Sequence, residues 1–175
     1  FSSHLQIVAS PFRGKPLFWS KPFNRAAWGI DTARASATRW AAMERARDAG
    51  KLVTTGRLRL LQGPSGQFGV QVFIPIYRGG QVYDTLPARR DNLQGFVIAI
   101  FRVRDLVELS LVGLKPALMD VWLADESAAP DERLLYQHQS RPGPQRAPSG
   151  REPLARSPFT WTPTFGVGGR LWSFY

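Results

Sequence analysis

In the stretch ERARDAGKLVTTGRLRLLQ (44–62) a charged, alanine-rich run stops at Gly50 and gives way at once to β-branched segments that carry arginines. Alanine, arginine and glutamate favour helix. Glycine enters the left-handed conformation that ends a helix more readily than any residue with a Cβ. The pattern therefore predicts a helix capped at Asp31 or Thr32 and running to about Ala49, then a turn straight into a sheet. Ala33, Ala37 and Trp40 fall at i, i+4 and i+7, with Met43 one turn on, which gives this helix one buried stripe. A helix joined so tightly to a sheet covers one sheet face, so the opposite face needs cover from elsewhere.

The remaining chain supplies the sheet. LQIVA (5–9) reads as a short strand, followed by an irregular excursion with prolines at 11, 16 and 22 and the aromatics Phe12, Phe18, Trp19 and Phe23. Strands are expected at 52–55, 57–62 and 69–77, with GPSGQ (63–67) as a hairpin loop. In VQVFIPIY, Val70, Val72, Ile74 and Ile76 share one face, and Gln71, Phe73, Pro75 and Tyr77 share the other. Pro75 points to an edge position or a bulge. Residues 78–92 read as a long polar loop. LQGFVIAIF (93–101), apolar on both faces, reads as a central strand. A helix is expected from near Asp105 over 104–114, then strands at 117–124, 133–139, 159–165 and 169–175. Five prolines within 141–158 mark a loop or insertion. The class is α+β: antiparallel sheet with helices packed on one side, in two lobes in series.

Composition narrows the chemistry. A 175-residue chain with 43% hydrophobic and 21% charged residues can bury a core. No run reaches the roughly 18 apolar residues of a membrane span, and no secretory leader is visible. The abrupt start at Phe1 and the aromatic end RLWSFY suggest an excised fragment. The absence of cysteine excludes disulfides, thiolate-bound metals and thiol catalysis. The net charge of +10 admits an anionic partner, but the basic residues are spread along the chain rather than gathered with aromatics on one element. His4 and His138 are far apart, and neither nucleophile motifs nor phosphate loops are present, so no catalytic residue, metal site or cofactor is expected.

The helix-into-sheet unit instead suggests a small concave pocket in the first lobe. The segments 10–28 and 78–92 are candidates to cover the free sheet face. Asp31 can accept hydrogen bonds from a ligand or cap the helix. Thr54 and Arg57 lie just past the Gly50 turn and are either pocket residues or solvent-facing strand residues.

Five segments then occur in a particular order: NRAAWGID (24–31), AMERARDAGKLVTT (42–55), LRLLQ (58–62), FGVQVFIPIY (68–77) and LQGFV (93–97). Each is weak alone, but their order and spacing resemble the CHASE domain. This is the extracellular sensor module of plant cytokinin receptors and of many bacterial histidine kinases and diguanylate cyclases. LQIVASP and GRLWSFY are similar to the family's early and last strands. The resemblance implies a stalk helix, absent here, followed by two PAS-like lobes: residues 1–101 as the membrane-distal, ligand-binding lobe and 102–175 as the membrane-proximal one. It also implies that Asp31 hydrogen-bonds the ligand, that the backbone of Thr54 contacts it, and that Phe73 stands where the plant receptors have threonine. That ring would narrow the pocket against an adenine-type cytokinin. With Arg57 and Tyr77, these residues form the expected ligand site.

The resulting expectation is a periplasmic domain of an inner-membrane signalling protein. It would bind a small molecule, act as a homodimer in the full-length protein through flanking membrane helices, and bind no nucleic acid. A basic nucleic-acid-binding module and a ligand-free dimerisation or docking lobe are the alternatives.

Overall fold

The computed structural model describes the backbone of residues 4–9 and 18–19 and, with side chains, residues 36–59, 68–112, 120–140 and 162–175. Along the chain come β1 (His4–Ala9), β2 (Phe18–Trp19), α1 (Ala37–Ala49), β3 (Val53–Thr54), β4 (Leu58–Arg59), β5 (Phe68–Tyr77), α2 (Leu86–Asn92) and β6 (Leu93–Arg102). Then follow α3 (Val103–Leu111), β7 (Val121–Asp125), β8 (Leu134–His138), β9 (Thr164–Val167) and β10 (Arg170–Phe174). Two compact units result: Phe1–Thr55 with Val70–Phe101, and Gly56–Gly69 with Arg102–Tyr175.

The first unit is a sheet ordered β2-β1-β6-β5-β3. Its centre is β6, the segment that is apolar on both sides, flanked by β1 in continuous register from His4–Ile100 to Ala9–Gly95. Residues 10–23 are not wholly irregular as expected, because Phe18 and Trp19 pair with Val8 and Ile7 as β2. At the far edge β3 pairs only with Val72 and Phe73. Pro75, which has no N–H to offer, lies past the end of that partner strand, in keeping with the edge expectation.

Ser36, in extended conformation (φ −161°, ψ 127°), precedes the first residue of α1 and is its N-cap. The cap is therefore not Asp31 or Thr32, both of which lie outside the described residues. The buried stripe is also rotated from the expected one. Ala42, Met43 and Ala46 are buried, Ala37 is exposed and Trp40 is half-buried. Ala33 lies outside the described residues. Gly50 ends the helix in left-handed conformation (φ 65°), its N–H donating to the Ala46 carbonyl at 2.9 Å. The stripe packs with Val53, Phe73 and Phe96 in one core cluster, where the Phe73 and Phe96 rings meet edge to face at 6.1 Å.

Residues 78–92 are not a loop throughout. Thr85 Oγ1 accepts from the Ala88 N–H at 3.3 Å and Pro87 sits in the first turn, where a missing N–H costs nothing, so α2 forms.

In the second unit α3 buries Val103, Val107 and Leu111, a single stripe at four-residue spacing. The sheet order is β8-β7-β10-β9, with Leu123, Ala124, Leu135 and Trp172 buried. Gly168 and Gly169, both at positive φ (53° and 80°), make the tight turn between β9 and β10. The β4 strand pairs with Phe68 and Gly69, the first two residues of β5. Of the strand expected over 159–165, residues 159–161 lie outside the described residues; β9 starts at Thr164, and just before it the Pro163 carbonyl accepts from the Phe174 N–H at 3.1 Å. The hairpin at 63–67, the strand residues 117–119 and the insertion at 141–158 lie outside the described residues.

Candidate ligand-binding site

Fully buried polar side chains occur in both units: Thr54, Thr55 and Gln71 in the first, Asp125 and Ser173 in the second. The first set forms one corner of its sheet. Thr55 N–H donates to the Gln71 carbonyl at 2.9 Å, and Gln71 N–H donates to Thr55 Oγ1 at 3.0 Å. Antiparallel partners alternate between bonded and non-bonded pairs. With Thr55 and Gln71 bonded, the next pair, Thr54 and Val72, is the non-bonded one. The N–H and C=O of Thr54 therefore point away from β5, toward a sheet edge that no described strand occupies.

Side chains along these strands alternate between faces. Val53 and Phe73, opposite each other, belong to the cluster under α1. Gln71, two residues before Phe73, leaves β5 on the same face, while Thr54 leaves β3 on the other. Among the described residues, Thr54 Oγ1 and both Gln71 amide atoms, Oε1 and Nε2, are buried without a hydrogen-bond partner. Each such atom costs about 1–3 kcal/mol unless a guest or water satisfies it. An amide with donor and acceptor both open is therefore equipped to receive a polar molecule.

Arg39 adds a cation to the layer between α1 and the sheet, which Gln71 also faces. It precedes Met43 by four residues and Ala46 by seven, which places it on the buried stripe of α1. Its Nε is buried, and the guanidinium has no hydrogen bond or ion pair with the described residues. Burial pulls its pKa down, the mark of a cation short of solvent.

The other end of α1 is built differently. Tyr77 donates its phenol to the Arg47 carbonyl at 2.5 Å and stacks on Tyr83 with ring centroids 4.6 Å apart; burial pushes its pKa up. Arg89 donates to the carbonyls of Asp48, Tyr83 and Asp84 at 2.9, 3.0 and 3.1 Å. Arg90 grips the Asp48 carboxylate at 2.7 and 3.1 Å. Hydrogen bonds from Arg90 and Arg47 hold that carboxyl far below the usual range. Residues 78–92, expected to cover the free sheet face, thus strap onto the end of α1.

Of the expected site residues, Thr54, Phe73 and Tyr77 fall in the first unit and Arg57 in the second. Phe73 is wholly buried in the α1 cluster, and the Tyr77 hydroxyl is committed to Arg47. Arg57 donates to the carbonyls of Leu134 and Asp131 at 3.1 and 2.7 Å and lies 4.4 Å above the Phe68 ring. Asp31 lies outside the described residues. Sequence reading passed over Gln71 and Arg39. The signal for Arg39 was a charge on the apolar stripe, hidden because the stripe was phased on Ala33, Ala37 and Trp40. No group of metal-ligating residues occurs among the described residues, and no helix among them is long and apolar enough to cross a membrane.

Two antiparallel sheets in succession with helices packed on them, the first holding open polar groups at its edge, define a PAS-like α+β sensor domain. The chain belongs to the CHASE domain family, whose profile matches residues 16–136. It is also similar to the ligand-binding domain of the amino acid chemoreceptor PctC of Pseudomonas aeruginosa PAO1, solved in complex with GABA. The TM-score is 0.50 at 14% identity, covering 99% of this chain and 72% of that one. Identity that low speaks for the fold alone. No curated protein sequence matches the chain.

Proposed function

We propose that this CHASE domain is the periplasmic sensor of an inner-membrane signalling protein, and that it binds a small molecule in its first unit. The first unit is then the membrane-distal lobe and the second the membrane-proximal one. Flanking helices, in a homodimer, carry the signal to a cytoplasmic histidine kinase or a diguanylate cyclase or phosphodiesterase. A ligand shifts such an equilibrium only by binding one arrangement more tightly than the other.

The observation that carries this reading is the buried Gln71 amide, open at both atoms on the sheet face that α1 covers. The middle of that face is filled by Met43, Phe73 and Phe96, so a guest is confined to the end of it at Gln71 and to what Asp31 adds. The basic surface gives little support to a nucleic-acid role. Arg57, Arg89, Arg90 and Arg170 are all engaged within the fold.

Thermal-shift screening of the domain against small polar metabolites, amino acids first because the PctC structure holds GABA, tests the proposal. At least one compound is expected to raise the Tm, with Asp31→Ala abolishing the shift and leaving the fold intact, since Ser36 caps α1. If no compound stabilises the domain, the ligand-free docking module takes its place.

A further inference from the structure

We infer that the ligand carries a carboxylate, received by the guanidinium of Arg39, and that the Gln71 amide in the same layer binds another part of it. The inference rests on the sensor reading above and names the chemistry of the same site.

Two groups lack what they need. Arg39 is a half-buried cation with no counter-ion among the described residues. Gln71 is wholly buried with both amide atoms open. The fold brings them to the same layer. Tyr77 touches Arg47, so the ends of β5 and α1 coincide. Eight residues back along the helix, about 12 Å, is Arg39. Four to six residues back along the strand, about 13–20 Å, are Phe73 and Gln71. Both side chains face the space between helix and sheet.

Both acids of α1 are already taken. Glu44 pairs with Arg47 at 3.7 Å, and Asp48 is held by Arg90 and Arg47. A planar guanidinium matches a carboxylate with two parallel N–H···O bonds. Gln71 Nε2 supplies a further donor, and Oε1 accepts from a hydroxyl or ammonium on the same ligand. One cation balances a monoanion, which favours carboxylate over a phosphate dianion.

The test is calorimetry of the domain with lactate, glycine and succinate, their matched primary amides, and inorganic phosphate. At least one carboxylate is expected to bind, and its amide not. Arg39→Gln should weaken binding about tenfold to hundredfold, and Arg39→Lys less. Gln71→Met should also weaken it. Without ligand, Arg39→Gln should leave the Tm unchanged or higher, because it removes a half-buried cation that has no counter-ion among the described residues.

Carboxylates and amides binding alike, or Arg39→Gln binding as tightly as the parent, overturns the inference and leaves the sensor reading standing. Arg39-dependent binding of phosphate alone overturns the carboxylate assignment. A fall in ligand-free Tm of more than about 3 °C on Arg39→Gln makes Arg39 a structural residue and overturns it too. If none of these probes binds, the inference fails; the wider metabolite screen then decides the sensor reading separately.

Discussion

Arg170 Nε lies 2.5 Å from Asp125 Oδ2 in the second unit, and the Asp125 side chain is wholly buried. The other carboxylate oxygen accepts from the Ser127 N–H at 3.1 Å. Removing one partner of a buried pair leaves an uncompensated charge. Asp125→Ala is therefore expected to cost about 3–5 kcal/mol, read from chemical denaturation. The double variant Asp125→Leu with Arg170→Met should cost far less, since it leaves no charge behind.

Acid should loosen the second unit at Glu108. Its carboxylate accepts from the Tyr136 phenol and lies 2.9 Å from His138 Nδ1. Burial raises its pKa, but the hydrogen bonds from Tyr136 and His138 outweigh burial, and the net shift is downward. A carboxyl depressed in the folded state contributes stability above its unfolded pKa, and that contribution is lost as pH falls through the folded value. The Tm should thus fall below about pH 4.5, and Glu108→Gln should flatten that part of the profile. Tyr136, pushed up to about 12 by burial and by Glu108, is the alkaline counterpart. Its contribution is present below about pH 10 and lost as pH rises through its folded value.

Gly50→Ala meets two penalties. The position is left-handed, and an added Cβ would stand 3.1 Å from Arg89 Nε. The backbone cost alone is roughly 1–2 kcal/mol. Displacing Arg89 adds to it, so urea midpoints should fall further than for an alanine at exposed Gly79, where nothing lies within 4 Å.

Arg89→Ala removes three carbonyl contacts at once. Hydrogen exchange at residues 78–85 should quicken, while β6 amides keep their protection. Uniform loss of protection across the unit would show that Arg89 supports the whole core rather than the strap.

Much of this architecture was legible in the chain. The bounds of β5 and β6 follow from alternation and from apolar residues on both faces, and Gly50 marks the end of α1. The start of α1 was not legible, because Asp31, Thr32 and Ser36 are all competent caps and only the fold selects among them. The phase of the stripe was not legible either: Ala37 and Trp40 are as apolar as Ala42, Met43 and Ala46, and only packing decides which set is buried, and with it whether Arg39 lies inside or outside. The Thr85–Pro87 start of α2 was written in TLPA but masked by the polarity of its surroundings. Gln71 was placed on the correct strand face, yet a buried amide is chemically notable only when its neighbours are seen to leave it unsatisfied.

Helix α1 is anchored unequally. Its last turn is fastened by Gly50, by the Tyr77 phenol and by Arg89 and Arg90. Its first turn has neither a capping side-chain bond from Ser36 nor an acidic residue to meet the positive end of the helix dipole. Trp40 packs that first turn against the core cluster, so the rod is held by apolar packing at the tip that bears Arg39 and by polar contacts at the strap. An anion received at Arg39, as inferred above, would give the first turn the polar anchorage that the last turn already has.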